Sequence, residues 1–195
     1  EIDTDCCNFL SENIGVECDS EYLENSKFKD ENYDVIAAFQ VMEHVNDPIA
    51  FVQSLKKVAN KKAKIFIEVP NLDDALLSTW ALPGYDKFFY HSAHLHYFTE
   101  TSLKLVAQKA GFSTRNIEVL YLQDYNLLNH LHWIMNDQPQ KDCLFGLSEI
   151  KLRASKPEIS DWLNIEFNRL NREYIKLLKE QKSTSNLMLR LTNDE

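Results

Sequence analysis

The sequence predicts one α/β domain on a parallel or mostly parallel sheet, and three stretches carry that expectation. "YDVIAAFQV" (33–41) is an apolar run with charge only near its start, as in a strand covered on both faces. "KAKIFIEVPN" (62–71) places Ile65, Ile67 and Val69 at period two before Pro70 stops the strand. Between them "NDPIAFVQSLKKVAN" (46–60) spaces Ile49, Val52, Leu55 and Val58 for a helix, with Asn46 or Asp47 as cap and Pro48 in the first turn. Strand, helix and strand joined by short loops imply a crossover unit.

The remaining elements follow the same reasoning. "DCCNFLSENIG" (5–15) reads as a short helix on Cys6, Phe9, Leu10 and Ile14, closed by Gly15. "VECD" (16–19) is a short apolar-to-acidic stretch, and "SKFKDENYD" (26–34) is turn-like. Thr99 caps a helix carrying Leu103, Val106 and Ala110 that ends at Gly111, and "STRNIEVLYLQDY" (113–125) is strand-like. From Asn126 the pattern changes to a short aromatic helix and then a long one with Trp162, Ile165, Leu170, Tyr174 and Leu177 at three-to-four spacing. "NLMLRL" (186–191) follows as a last strand. The expected organisation is a core over 1–125, a helical insertion over 126–183, and a final strand over 184–195 that returns to the sheet, since one strand alone has no stability.

Composition narrows the function classes. The 195 residues carry 21 basic and 30 acidic side chains, a net charge of -9, which argues against a nucleic-acid partner. No apolar run approaches the ~20 residues that span a bilayer, so membrane insertion is not expected. Cys6, Cys7, Cys18 and Cys143 form no Cys-x-x-Cys pair, which fits reduced thiols in the cytoplasm. The four glycines, Gly15, Gly84, Gly111 and Gly146, lie too far apart to form a Gly-x-Gly phosphate loop.

"YDVIAAFQVMEHVNDPIAFVQSLKKV", the strand ending "IEVPN", and "HLHYFTETSLKLVAQKAGF" together resemble the class I S-adenosylmethionine-dependent methyltransferases, closest to the small-molecule branch that acts in sugar and polysaccharide biosynthesis. The resemblance covers most of residues 1–121. It implies a Rossmann-like sheet incomplete at its N-terminus, lacking the first strand and glycine loop, with a helical insertion before the last strand. It implies S-adenosylmethionine as cofactor and methyl transfer to a small sugar-like acceptor. The long helix from Glu158 to Gln181 reads most simply as a solvated amphipathic helix, with a homodimer through it as the minority reading. By the same resemblance Glu1 is the ribose-binding carboxylate. Asp19 and Ser20 border the adenine, with Cys18 where relatives carry glycine, and Phe39 and Gln40 lie along the methionine moiety. Glu43 and His44 are either a hydrogen-bonded pair at a helix start or direct ligands of the bound molecules, and His44 is counted with the cofactor residues. A degenerate, non-catalytic binding or dimerisation module is the alternative.

"HSAHLHYF" (91–98) raises three readings: a metal site, a proton-handling site, or an aromatic patch that anchors the next helix. A metal needs converging ligands, and no cysteine nearby completes a set, so no metal is expected. Relatives use this loop to border their substrate, which makes His94 the expected base, with His91 and Tyr90 as helpers and His96 structural. His130, His132 and Trp133, at helical spacing, are expected to pack rather than to stack on a sugar.

Overall fold

The computed structural model describes residues 1–194. Its sheet holds four strands, β1 (Tyr33–Phe39), β2 (Ala59–Pro70), β3 (Ile117–Leu122) and β4 (Asn186–Thr192), in the spatial order β1-β2-β4-β3. β1 and β2 are parallel, while β4 runs antiparallel to both β2 and β3. Three of the four strands, β1, β2 and β3, therefore run in one direction, as a mostly parallel sheet requires, and β4 is the one strand that opposes them. The chain returns to the sheet at the end where β2 and β3 finish, with Asn186 opposite Pro70 and Leu122, so it must run back between them. The strand tip that the family resemblance sets at Asp19 and Ser20 is not formed: residues 16–19 join no strand, and Val16 is exposed.

Helix α1 (Thr4–Phe9) continues into a π turn over Leu10–Ile14, and Gly15 closes it at φ 76, the left-handed cap that glycine tolerates. Helix α2 (Pro48–Lys57) starts where the Asp47 carboxylate accepts from the amides of Ile49 and Ala50. Helices α3 (Ala75–Ser78) and α4 (Pro83–Phe89) have no counterpart in the sequence expectations, because one turn and two turns are too short to show a period. Helix α5 (Glu100–Lys109) opens with a reciprocal cap between Thr99 and Ser102. Helices α6 (Leu127–Asn136), α7 (Leu144–Leu147) and α8 (Pro157–Glu180) fill the interval before β4.

One face of the sheet is closed. Ile65, Ile67, Val69, Leu187, Leu189 and Leu191 are buried, together with Val52 and Leu55 of α2 and Leu103 and Ala107 of α5. On the other face Val35 and Phe39 of β1 remain 64% and 57% exposed. A second cluster joins Leu76, Tyr85, Phe89 and Trp133, with Trp133 edge-on to Tyr85 at 4.9 Å. His130 is buried as well, so these α6 aromatics pack.

The apolar side of α8 is not a core face, in keeping with a solvated amphipathic helix. Trp162 and Ile165 are 63% and 66% exposed, and the helix is held by asparagines instead. Asn164 and Asn168 each exchange two hydrogen bonds with the main chain, at Leu152 and Ile150 respectively, and Asn171 Oδ1 accepts from the Leu127 amide at 2.7 Å. Among the described residues no helix is long and apolar enough to cross a membrane.

Because Ile67 sits at the centre of the closed face with no exposed surface, Ile67→Ala should cost about 2–5 kcal/mol. Urea unfolding of both proteins measures the difference.

Candidate active site

The parallel pair β1–β2 directs its C-terminal ends, Phe39–Gln40 and Glu68–Pro70, to one edge of the sheet. Open α/β sheets bind ligands at this edge. Gln40 leaves β1 at φ 55, a left-handed turn away from the strand, and its Nε2 donates to Glu68 Oε1 at 3.1 Å. Asn186 Nδ2 donates to the same Glu68 oxygen at 3.2 Å and to Asp124 Oδ2 at 2.5 Å. Burial pushes both carboxyls up; Gln40 opposes the rise at Glu68, and Asn186 opposes it at Asp124. The sequence expectations missed Glu68 and Asp124. The available signal was a lone acid near the end of an apolar strand, in "IFIEVPN".

The turn Met42–His44 follows β1 and is tied to the histidine loop by main-chain bonds. The Glu43 carbonyl accepts from the amides of Leu95 and His96, at 2.8 and 3.1 Å. His44 Nδ1 lies 2.8 Å from the Ala93 carbonyl, which can only accept, so Nδ1 carries the proton and Nε2 the lone pair. The expectation of a hydrogen-bonded Glu43–His44 pair at a helix start is corrected. Glu43 Oε1 is 3.8 Å from His44 Nε2, neither carboxylate oxygen has a hydrogen-bond partner, and α2 is capped by Asp47 instead. Glu43 is fully buried; burial pushes its carboxyl up, its own backbone and His44 oppose this, and Glu68 adds to it.

His94 packs at a tilt against His91 with ring centroids 3.9 Å apart and meets His44 edge-on at 4.8 Å. Its Nδ1 is buried without a partner, and its pKa is held down to about 4 by burial and then by His91 and His44. Tyr90 packs edge-on against Tyr97 at 4.9 Å, and the Tyr97 hydroxyl accepts from the His91 amide. His96 Nε2 turns away, toward the Asn46 carbonyl at 3.4 Å.

The N-terminal residues lie on a different segment. The Glu1 amino group approaches the Asp19 carbonyl at 3.4 Å, and Glu1 Oε1 accepts from the Asp3 amide. The Asp19 carboxylate accepts from Ser26 Oγ, the Lys27 amide and the Glu21 amide, which hold it below the usual range. It thereby shapes the 19–27 loop. Ser20 beside it is half-buried.

Comparison with solved structures places this arrangement in a class. The chain superposes on an S-adenosylmethionine-dependent methyltransferase of Archaeoglobus fulgidus with a TM-score of 0.51 at 17% identity, covering 98% of this chain and 73% of that one. A Thermotoga maritima enzyme described as a possible histamine N-methyltransferase gives 0.54 at 13% identity, over 96% and 68%. The YcgJ protein of Bacillus subtilis gives 0.51 at 12% identity, over 100% and 81%. The fold is that of the class I methyltransferases, whose methyl donor is S-adenosylmethionine. No curated protein sequence matches the chain. A family model described as "Methyltransferase domain" matches residues 7–117, and the chain belongs to that family.

The loop that carries the histidines follows α3 and α4, whose anchor is Asp74. Only 1% exposed, Asp74 accepts from the Leu76 amide at 2.7 Å and from the Tyr85 hydroxyl at 3.1 Å. Burial outweighs both bonds and pushes its carboxyl from 3.8 up to about 6. A raised folded-state pKa favours the protonated form, so this stabilisation is complete below about pH 4 and lost as pH rises through about 6. Between about pH 4 and 7 the protein should lose about 3 kcal/mol relative to Asp74→Asn, read by urea unfolding across that range.

Proposed function

We propose that the protein transfers a methyl group from S-adenosylmethionine to a small polar acceptor, with a sugar or sugar nucleotide of polysaccharide biosynthesis as the acceptor class. The observation that supports this most directly is the convergence of the β1 tip, the Met42–His44 turn and the His91–His96 loop beside the C-terminal ends of β1 and β2. Imidazole, amide and carboxylate groups together suit a polyhydroxylated acceptor.

In this reading Glu1 holds the ribose, the Asp19–Ser20 segment borders the adenine, and Phe39, Gln40 and His44 line the methionine part. The exposed ring of Phe39 gives the cofactor an apolar wall. The sulfonium already activates the methyl, so the protein mainly aligns donor and acceptor for in-line displacement. The C–S bond breaks as the acceptor oxygen forms its bond to the methyl carbon. The hydroxyl proton passes to His94, a neutral imidazole beside His91 and Tyr90, and S-adenosylhomocysteine leaves uncharged.

The exposed edge and face of β1, with Val35 and Phe39, favour a second reading as a non-catalytic module that binds a partner or a second copy there. Four free thiols, Cys6, Cys7, Cys18 and Cys143, suit a reducing cytoplasm.

Calorimetric titration with S-adenosylhomocysteine is expected to show one site, weakened by Phe39→Ala. No binding, together with a stable dimer on sizing, would replace this reading with the second. With a sugar acceptor, His94→Ala should lower kcat by about 10²–10⁴-fold and leave S-adenosylhomocysteine affinity unchanged. An unchanged kcat would remove His94 from the chemistry.

A further inference from the structure

We propose that Glu43, His44 and His94 form a binding site for one divalent transition cation of the zinc class, held by one carboxylate and two imidazoles with a further position open. One ligand atom from each of the three residues lies within 4.8 Å of the other two. Zinc bonds to nitrogen and oxygen of about 2.0–2.2 Å set neighbouring ligand atoms about 3.4 Å apart. The 3.8 Å between His44 Nε2 and Glu43 Oε1 is already near that spacing. A gap of up to 4.8 Å must close on binding; His44 is exposed and His94 only half-buried, so neither imidazole is locked in place by burial.

Proximity alone would not make a site, but the polar groups here lack partners. Both Glu43 carboxylate oxygens are buried without a hydrogen bond, as is His94 Nδ1. Among the described residues these are the three buried side-chain polar atoms without a partner, and they belong to two of the three clustered residues. Buried polar atoms are nearly always satisfied, and a carboxylate and an imidazole nitrogen that find no protein donor or acceptor form a set that one cation would satisfy together. The third residue is prepared differently. His44 Nδ1–H donates to the Ala93 carbonyl, which fixes the tautomer and presents the Nε2 lone pair, the outer-shell arrangement of metal-binding histidines.

Two imidazoles and one carboxylate select zinc and its neighbours over magnesium or calcium, which prefer all-oxygen shells. The expectation of no metal rested on ligands within the histidine loop; the carboxylate comes instead from the turn after β1. His96 takes no part, since its Nε2 faces the Asn46 carbonyl. A cation here would polarise an acceptor hydroxyl placed in the open position, and with His94 as ligand the proton would pass to His91. That consequence rests on the methyl-transfer reading, whereas the cation site itself does not.

The test is calorimetric titration of zinc into the chelator-treated 195-residue protein, without cofactor or acceptor, with cobalt absorption as a second readout. One equivalent should bind, and Glu43→Gln, His44→Ala and His94→Ala should each weaken it by at least about tenfold. His96→Ala and His132→Ala should bind as the unaltered protein does. Circular dichroism of each variant separates lost ligation from lost folding, and the half-exposed His94 keeps one variant free of a buried replacement. Absence of stoichiometric binding would overturn the proposal, as would zinc binding that survives both Glu43→Gln and His94→Ala. Zinc binding without S-adenosylhomocysteine binding would sink the functional reading alone, and the converse would sink only the cation site.

Discussion

The placement of β4 between β2 and β3 is the constraint on which the rest depends. Its backbone pairs on both sides, and Leu187, Leu189 and Leu191 fill the closed face without exposed surface. The same insertion positions the turn before β4 against the end of β2. Asn71, fully buried, donates its side-chain amide to the carbonyls of Lys182 and Thr184, and its own main-chain amide to Ser185. Asn71 also bridges to Phe98 at the end of the histidine loop. The last strand therefore fixes, through one asparagine, the base of a loop far from it in sequence.

The loop's other attachment is the Glu43 carbonyl, and these two anchors give the site its electrostatic character. The Glu43 carboxylate is carried under the loop by its own backbone bonds, so it is desolvated without gaining a donor. Glu68 and Asp124 escape that state because Gln40 and Asn186 bridge them with amide hydrogens. The acids at this sheet edge thus differ in what satisfies them. Amides answer the pair along the strand tips, while the acid under the loop has the His44 and His94 imidazoles near it and no donor on either oxygen.

Polar side chains likewise fix the helices over 127–180. The asparagines of α8 satisfy main-chain groups at 127, 150 and 152, and His130 of α6 shares a hydrogen bond with Tyr174 of α8 at 2.9 Å. Polar anchoring leaves Trp162 and Ile165 on the outside, the reverse of what apolar spacing alone would place.

The sequence by itself determined the elements whose period is long enough to be read: β1, α2, the apolar half of β2, α5, the long helix α8, and the caps at Asp47, Thr99 and Gly15. These are local matters of spacing and capping, settled within a few residues. The family resemblance was legible too, because its motifs are contiguous. The antiparallel insertion of β4, the short helices α3 and α4, and the exclusion of 16–19 from the sheet were decided by tertiary structure. Strand order and direction depend on where the chain re-enters the sheet, which no period records. The site divides in the same way. His94 and its neighbours could be singled out from the cluster itself, but Glu43 shows its orphaned carboxylate only once two segments distant in sequence are folded together.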